Sequence, residues 1–421
     1  MMAKVHREIM KSQKANSFAR LLRGFDRAVG NMGLFNESLR PEALIQLAQR
    51  RTRLREFGEW SFHEPLTVLL RAYKEESDLT TLGRFAVRWD IVRFLSNLLR
   101  LCEEEKKAPE ILNEQISAPI FILGLPRSGT TFLHNLMALD PGNLAPRAWQ
   151  TIYPYPLRRR ELTNRDPRPR MVARHFARFL RIAPELPSLH PLEAEGAQEC
   201  IEITGQVIRS MRFDTTHYVP SYERWLDAAG HLEAYQFHKR FLQHLQHQNG
   251  PGQWILKSPD HIFALDALLQ VYPDARLVLL HRDPLHVLAS VAKLTEILRE
   301  PFARKVDRQQ IGRQVSKRWS LGSRLLIETS MRLRESTRRI VNLRYSSLVR
   351  DPLATLKAVY CHFNLVLRPQ AQARINHFLA NRPNGGHGQN TYRIEDYGLD
   401  RENEIRRYRD YKLHFQIGCE S

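Results

Sequence analysis

Apolar residues recur at three- and four-residue spacing through Ile91, Phe94, Leu95, Leu98, Leu101 and Cys102, with Arg93, Asn97 and Arg100 between them, which is the spacing of a buried helical face. The helical pattern runs from about Ser17 to Lys107. Pro109 and the polar stretch through Ser117 break it, and the run Pro119-Ile120-Phe121-Ile122-Leu123 then reads as a strand buried on both faces. Three more short apolar runs, Trp254-Ile255-Leu256, Ala275 to Leu280 and Ile340 to Leu343, each lead into polar or proline residues and predict further strands. Helical patterns separate these runs, so parallel strands joined by crossover helices are expected. The resulting picture is an α/β fold, a central parallel sheet flanked by helices over residues 117–421, preceded by a helical N-terminal extension over 1–116. The Arg- and Pro-rich stretch from Arg158 to Arg170 reads as an exposed connection, and Asn384-Gly385-Gly386-His387-Gly388 as a mobile loop.

Composition narrows the partners. Lys and Arg outnumber Asp and Glu by 64 to 45 in a chain of 421 residues, a formal charge of +19, which favours an anionic ligand, a nucleic acid or a membrane surface. The basic residues are spread along the chain without tail-like blocks or aromatic interleaving, so a compact anion site ranks above a nucleic-acid groove. Cys102, Cys200, Cys361 and Cys419 form no CxxC pair, and neither a zinc site nor a disulfide framework is expected. The N-terminus has no uninterrupted apolar stretch of signal-peptide type and no segment approaches a membrane span, so the cytoplasm is the expected compartment.

The chemistry concentrates in Gly124-Leu125-Pro126-Arg127-Ser128-Gly129-Thr130-Thr131, between the first strand and the helical run Phe132 to Ala138. A strand–loop–helix turn aims successive backbone N–H groups and the positive end of a helix dipole at one spot, where an anion replaces their missing partners. The spacing is that of a Walker A loop, giving a P-loop-like fold, but Thr130 stands where the P-loop lysine belongs. A triphosphate needs that lysine and Mg²⁺, whereas a transferring sulfuryl group carries less charge and can be handled by donors alone. Arg127 offers a charged fork and Ser128, Thr130 and Thr131 offer hydroxyls. No metal is expected.

Downstream, His281-Arg282-Asp283-Pro284 follows a predicted strand, with Asp283 as N-cap and Pro284 at the first helical position. Arg282 then lies at the carboxyl edge of the sheet, where open α/β folds bind ligands, and Ser290 follows about two helical turns later. Between these motifs lies Trp254-Ile255-Leu256-Lys257-Ser258-Pro259-Asp260-His261.

Pro126-Arg127-Ser128-Gly129-Thr130-Thr131 resembles the phosphosulfate-binding signature of the sulfotransferases that use 3′-phosphoadenosine 5′-phosphosulfate (PAPS). The likeness runs from Ile120 to the C-terminus and is to the soluble bacterial-type branch, through His190-Pro191-Leu192, Glu199-Cys200-Ile201, Leu343-Arg344-Tyr345, Asp351-Pro352 and Tyr392 to Leu399. It implies PAPS as donor, 3′-phosphoadenosine 5′-phosphate as product, and transfer to a hydroxyl or amine of a small-molecule, sugar or lipid acceptor. It also implies that Arg127, Ser128, Gly129, Thr130 and Thr131 hold the phosphosulfate, that Phe132 lies against adenine, that Arg282 and Ser290 hold the 3′-phosphate, and that Lys257 meets the bridging oxygen. Two positions depart from the family: Ser346-Ser347 replaces a common acidic pair, and Gln150 after Trp149 replaces a common Glu. An amide is no base, so His190, Glu193, Glu195, Glu199 and His261 remain as bases, His261 ranking first and His190 second. Trp149, Tyr153, Tyr155, His190, Tyr222 and Trp225 are candidate acceptor contacts. The competing readings are a P-loop kinase-like enzyme, separated by preference for ATP–Mg²⁺, and a basic nucleic-acid-binding protein, separated by steep salt dependence.

Overall fold

The structure, a computed structural model, describes residues 39–156, 166–333, 337–381 and 392–418. The expected helical stretch before residue 39, most of the Arg/Pro-rich connection and the loop from Asn384 to Gly388 lie outside these residues. Five parallel strands form one sheet: β1 (Ile120–Leu123), β2 (Asn143–Leu144), β3 (Gln253–Lys257), β4 (Arg276–His281) and β5 (Ile340–Arg344), in the order β2-β3-β1-β4-β5. The four expected strands are present with ends shifted by a residue or two, and β2 is an addition. It is two residues long, too short to leave a periodic signal.

β1 is buried at every position because helices cover both faces. Ile120 and Ile122 face the helices Thr130–Ala138 and Pro352–His362 through Leu133, Met137 and Val359, whereas Phe121 and Leu123 belong to the larger core on the other face. The helices Pro41–Thr52, His63–Glu76 and Thr81–Lys107 join that larger core through Leu44, Leu66, Leu95 and Leu98. A buried ionic cluster ties the longest of them to the sheet-bearing part: Arg93 meets Asp90 at 2.9 Å and Glu202 at 2.7 Å, and Arg212 meets Asp90 at 3.0 Å and Glu202 at 3.4 Å.

β1, β3 and β4 end side by side, so the segments following them converge at the carboxyl edge of the sheet. The C-terminal helix Arg409–His414 clamps the end of β4: His281 bonds Tyr411 and Asn342, each at 2.9 Å, stacks on Phe415, and Lys412 pairs with Asp283 at 2.7 Å. The stretch read as an exposed connection up to Arg170 ends in a helix that starts at Arg168 and runs to Ile182. Arg168 is buried, donating to the carbonyls of Tyr153 and Pro154 and pairing with Asp166, so this arginine is an anchor. Among the described residues no helix is long and apolar enough to cross a membrane.

Candidate active site

The loop Gly124 to Gly129 turns sharply from β1 into the helix Thr130–Ala138. Arg127 (φ 65°) and Gly129 (φ 94°) both take left-handed backbone. Gly129 has a second constraint, because a Cβ there would stand 2.8 Å from the Tyr345 ring. A Cβ on Gly124 would come 2.4 Å from the Leu280 carbonyl, so the loop packs directly on β4. Ser128 is fully buried and its Oγ has no hydrogen-bond partner within the protein. A buried hydroxyl without a partner, in a turn between a strand and a helix N-terminus, suits an anion-binding loop.

Arg127 Nε donates to Ser290 Oγ at 3.0 Å and its guanidinium also donates to the Leu189 carbonyl. Arg282 donates to the Arg127 carbonyl at 3.0 Å and lies 4.0 Å from the centre of the Tyr345 ring. Burial, and then the Arg282 guanidinium nearby, pull the Arg127 pKa down. Two guanidinium groups and a buried serine thus meet beside the loop. The helix Pro284–Arg299 that carries Ser290 begins as its sequence predicts, with the Asp283 side chain accepting from Leu285 N and Pro284 in the first turn.

Lys257, the last residue of β3, is buried and donates to Thr131 Oγ1 at 2.9 Å while forming a tight ion pair with Glu199. It lines a cleft with Thr131, His134, His190, Glu193 and Glu199, against Phe176 and Leu192. Burial alone would raise the Glu199 carboxyl, but Lys257 and His190 beside it hold it below the usual carboxylate range. His190 is pulled down by burial, with Glu199 opposing and Lys257 and Arg127 reinforcing, so its ring is neutral at neutral pH. His134 is lowered to about 4 by burial and then Lys257, and its Nε2 lies 3.1 Å from the Ile255 carbonyl.

The first-ranked base from the sequence, His261, is elsewhere. Side chains alternate along a strand, so Lys257 shares the face of Ile255, while His261 packs on Phe121 of the opposite face with ring centroids 4.9 Å apart. His261 is buried, its Nδ1 bonded to Tyr235 OH, and burial holds its pKa well below the ordinary value. Glu195 serves the loop through its carbonyl, which accepts from Arg147 at 2.8 Å. Gln150 caps a short helix by accepting from Arg147 N at 3.0 Å and donates to Asn249 Oδ1 at 3.3 Å, and it is not among the residues that line the cleft. Of the candidate acceptor contacts, His190 lines the cleft. Tyr222 and Trp225 lie in or against the large core, Trp149 packs under the Arg168 guanidinium, and Tyr153 and Tyr155 are buried or half-buried. Phe132 packs half-buried against the core beneath its own helix. Sequence reasoning missed His134 and Asn135, which line the cleft. Their signal was present, three and four residues after Thr131 on one helical face.

A family model for sulfotransferases matches residues 119–369, which contain the loop, Lys257, Arg282 and Ser290. The chain belongs to the sulfotransferase family. Crystal structures of two mycobacterial sulfotransferases share its fold: STF9 of Mycobacterium avium, with a TM-score of 0.82, 28% identity and coverage of 90% of this chain and 98% of that one, and STF1 of Mycobacterium tuberculosis, with a TM-score of 0.77, 31% identity and coverage of 88% and 98%. The omega-hydroxy-beta-dihydromenaquinone-9 sulfotransferase Stf3 of Mycobacterium bovis is 26% identical over 304 residues, covering 67% of this chain and 72% of Stf3. This sulfotransferase therefore moves a sulfuryl group from a donor to an acceptor on a P-loop-like α/β scaffold.

Proposed function

We propose that the sulfuryl donor is PAPS and that the acceptor enters the cleft between Lys257 and the helix Arg168–Ile182. The observation that carries this reading is the pairing of an unpartnered buried Ser128 hydroxyl in an anion-type turn with a second cationic group, Arg282 and the Ser290 contact of Arg127, at the same sheet edge. The first suits a phosphosulfate and the second a further phosphate. The donor supplies a good leaving group, a phosphate whose bridging oxygen gains charge as the S–O bond breaks. Lys257, held by Thr131 and Glu199, is positioned to neutralise that charge. His190 takes the proton of the acceptor, because burial keeps its ring neutral, and the ionised Glu199 stabilises the imidazolium that results. The ion pair between Lys257 and Glu199 orients both groups before the donor arrives.

Single-turnover transfer from PAPS tests these roles. His190→Ala should slow the chemical step about a hundredfold or more while donor affinity stays nearly unchanged. The base form of His190 persists below the ordinary histidine range, so the rate should stay flat as pH falls from 8 through 6.5 and decline only below that. A parental rate in His190→Ala with a crippled Glu199→Gln would move the proton-accepting role to the carboxylate.

A further inference from the structure

The helix Arg168–Ile182 has two faces with different business. Its inner side packs into two small apolar clusters, Val172 and Met171 with Ile152 and Tyr153, and Phe179 and Leu180 with Leu186 and Leu189, while Phe176 forms part of the cleft wall. Its outer side carries Arg170, Arg174, Arg178 and Arg181, all exposed, at spacings of four, four and three residues, so they form one row along the helix. The helix contains no acidic residue, and no carboxylate among the described residues pairs with any of the four. Elsewhere the protein pairs its arginines readily, as the Arg93 and Arg212 cluster and the Arg318 pairs with Glu223 and Asp227 illustrate. Four like charges in a row cost self-repulsion, and they are retained on a helix that helps wall the cleft. Beside the row stands Trp89, 39% exposed on the helix Thr81–Lys107, with its ring edge-on to His175 at 5.6 Å.

We infer that this face docks on the surface of a membrane rich in anionic lipid headgroups, with the arginine row on the phosphates and Trp89 at the headgroup level. Charge complementarity favours an anionic surface, and an exposed tryptophan flanking a basic amphipathic helix is the combination that suits a bilayer interface. Phe176, on the inner side of the same helix, lines the cleft, so the docked face and the cleft lie on opposite sides of one helix, and an amphiphilic acceptor would pass around that helix for its hydroxyl to reach Lys257 and His190. That last step rests on the cleft being the acceptor site, as proposed above; the docking itself does not.

Flotation of the full chain with vesicles tests the docking without any turnover. Vesicles of phosphatidylcholine containing one third phosphatidylglycerol should carry the protein up the gradient, vesicles of phosphatidylcholine alone should not, and raised salt should release it. A variant with Arg170→Gln, Arg174→Gln and Arg178→Gln should lose about a hundredfold in vesicle partitioning. A control variant with Arg401→Gln, Arg406→Gln and Arg409→Gln, all exposed on the C-terminal helices, should stay within about twofold of the parent. Both variants should bind 3′-phosphoadenosine 5′-phosphate like the parent, which verifies folding and reports on the donor reading separately. No flotation of the parent, or equal losses in the two variants, would overturn the proposal. So would mixed-sequence RNA that binds more tightly than the vesicles and depends on the same three arginines, since the row would then serve a nucleic acid.

Discussion

Ser128 carries a hydroxyl that burial has removed from water and that nothing in the protein receives. Left unsatisfied, such a group costs about 1 to 3 kcal/mol, and a bond to a charged partner recovers about that much. Ser128→Ala should therefore have effects of opposite sign. The ligand-free protein should be as stable as the parent or up to about 1 kcal/mol more stable, while nucleotide binding weakens by about 1.5 to 3 kcal/mol. Differential scanning fluorimetry with and without 3′-phosphoadenosine 5′-phosphate reads both, and a variant that loses ligand-free stability but keeps the ligand-induced shift would contradict this role. At this scale the sequence was informative where residue type, backbone demand and position coincide, as in Arg127 to Thr131 between a strand and a helix. It was uninformative for His261, four residues beyond Lys257, because the turn Pro259–Ile262 carries that side chain to the other face of the sheet.

The loop is useful because of the elements that aim it. β1 brings Gly124 against β4, Tyr345 at the end of β5 leaves no room for a side chain at Gly129, and the helix Pro284–Arg299 presents Ser290 to Arg127. The helix Thr81–Lys107 is tied to the short helices Ile201–Thr204 and Arg212–Thr216 through Arg93, Asp90, Glu202 and Arg212. Glu202 is nearly buried between two guanidinium groups, so Glu202→Ala should destabilise the protein by about 3 to 5 kcal/mol, measured by urea unfolding. Removing the Arg93 charge as well, in Arg93→Met/Glu202→Leu, leaves Asp90 and Arg212 paired and should cost less than the single change. Equal or larger loss in the double variant would mean that packing rather than charge balance holds the helix. The strands and the Asp283 cap were legible because apolar runs and capping side chains act locally. β2 and the start of the helix at Arg168 were not, the first for its length and the second because Asp166 pairs with, and the Tyr153 and Pro154 carbonyls accept from, an arginine that composition assigns to solvent.

Over the whole molecule, burial of histidines sets the response to acid. His217, His238 and His281 are held at about 3 and His134 and His231 at about 4, in each case first by burial. The unfolded chain protonates each near its ordinary value of about 6.5, so between pH 6.5 and 4 the unfolded state binds the extra protons. Stability therefore falls as pH falls, by about 1.4 kcal/mol per pH unit for each group. Asp260 and Glu223, both raised by burial to about 7, and Asp214, raised by burial, act in the opposite sense, since the folded state is the one that holds their protons. The histidines outnumber these carboxyls, and the urea midpoint should drop from pH 7 to pH 5. A midpoint that is level or rises over that range would show that these histidines are protonated in the folded protein. None of this was visible in the sequence, where a histidine carries no mark of its burial.

The central claim is that the Ser128 turn and the adjoining cationic group of Arg282, Arg127 and Ser290 hold the two ends of a 3′-phosphorylated adenylyl donor. Isothermal titration of the full chain with 3′-phosphoadenosine 5′-phosphate and with ATP–Mg²⁺ tests it without knowledge of the acceptor. The bisphosphate should bind about a hundredfold more tightly than ATP–Mg²⁺, since that cationic group recognises the 3′-phosphate. Arg127→Ala and Arg282→Ala should each weaken the bisphosphate by about 2 kcal/mol or more, and Ser290→Ala by less. Preference for ATP–Mg²⁺, or parental affinity in all three variants, would contradict the assignment of this site.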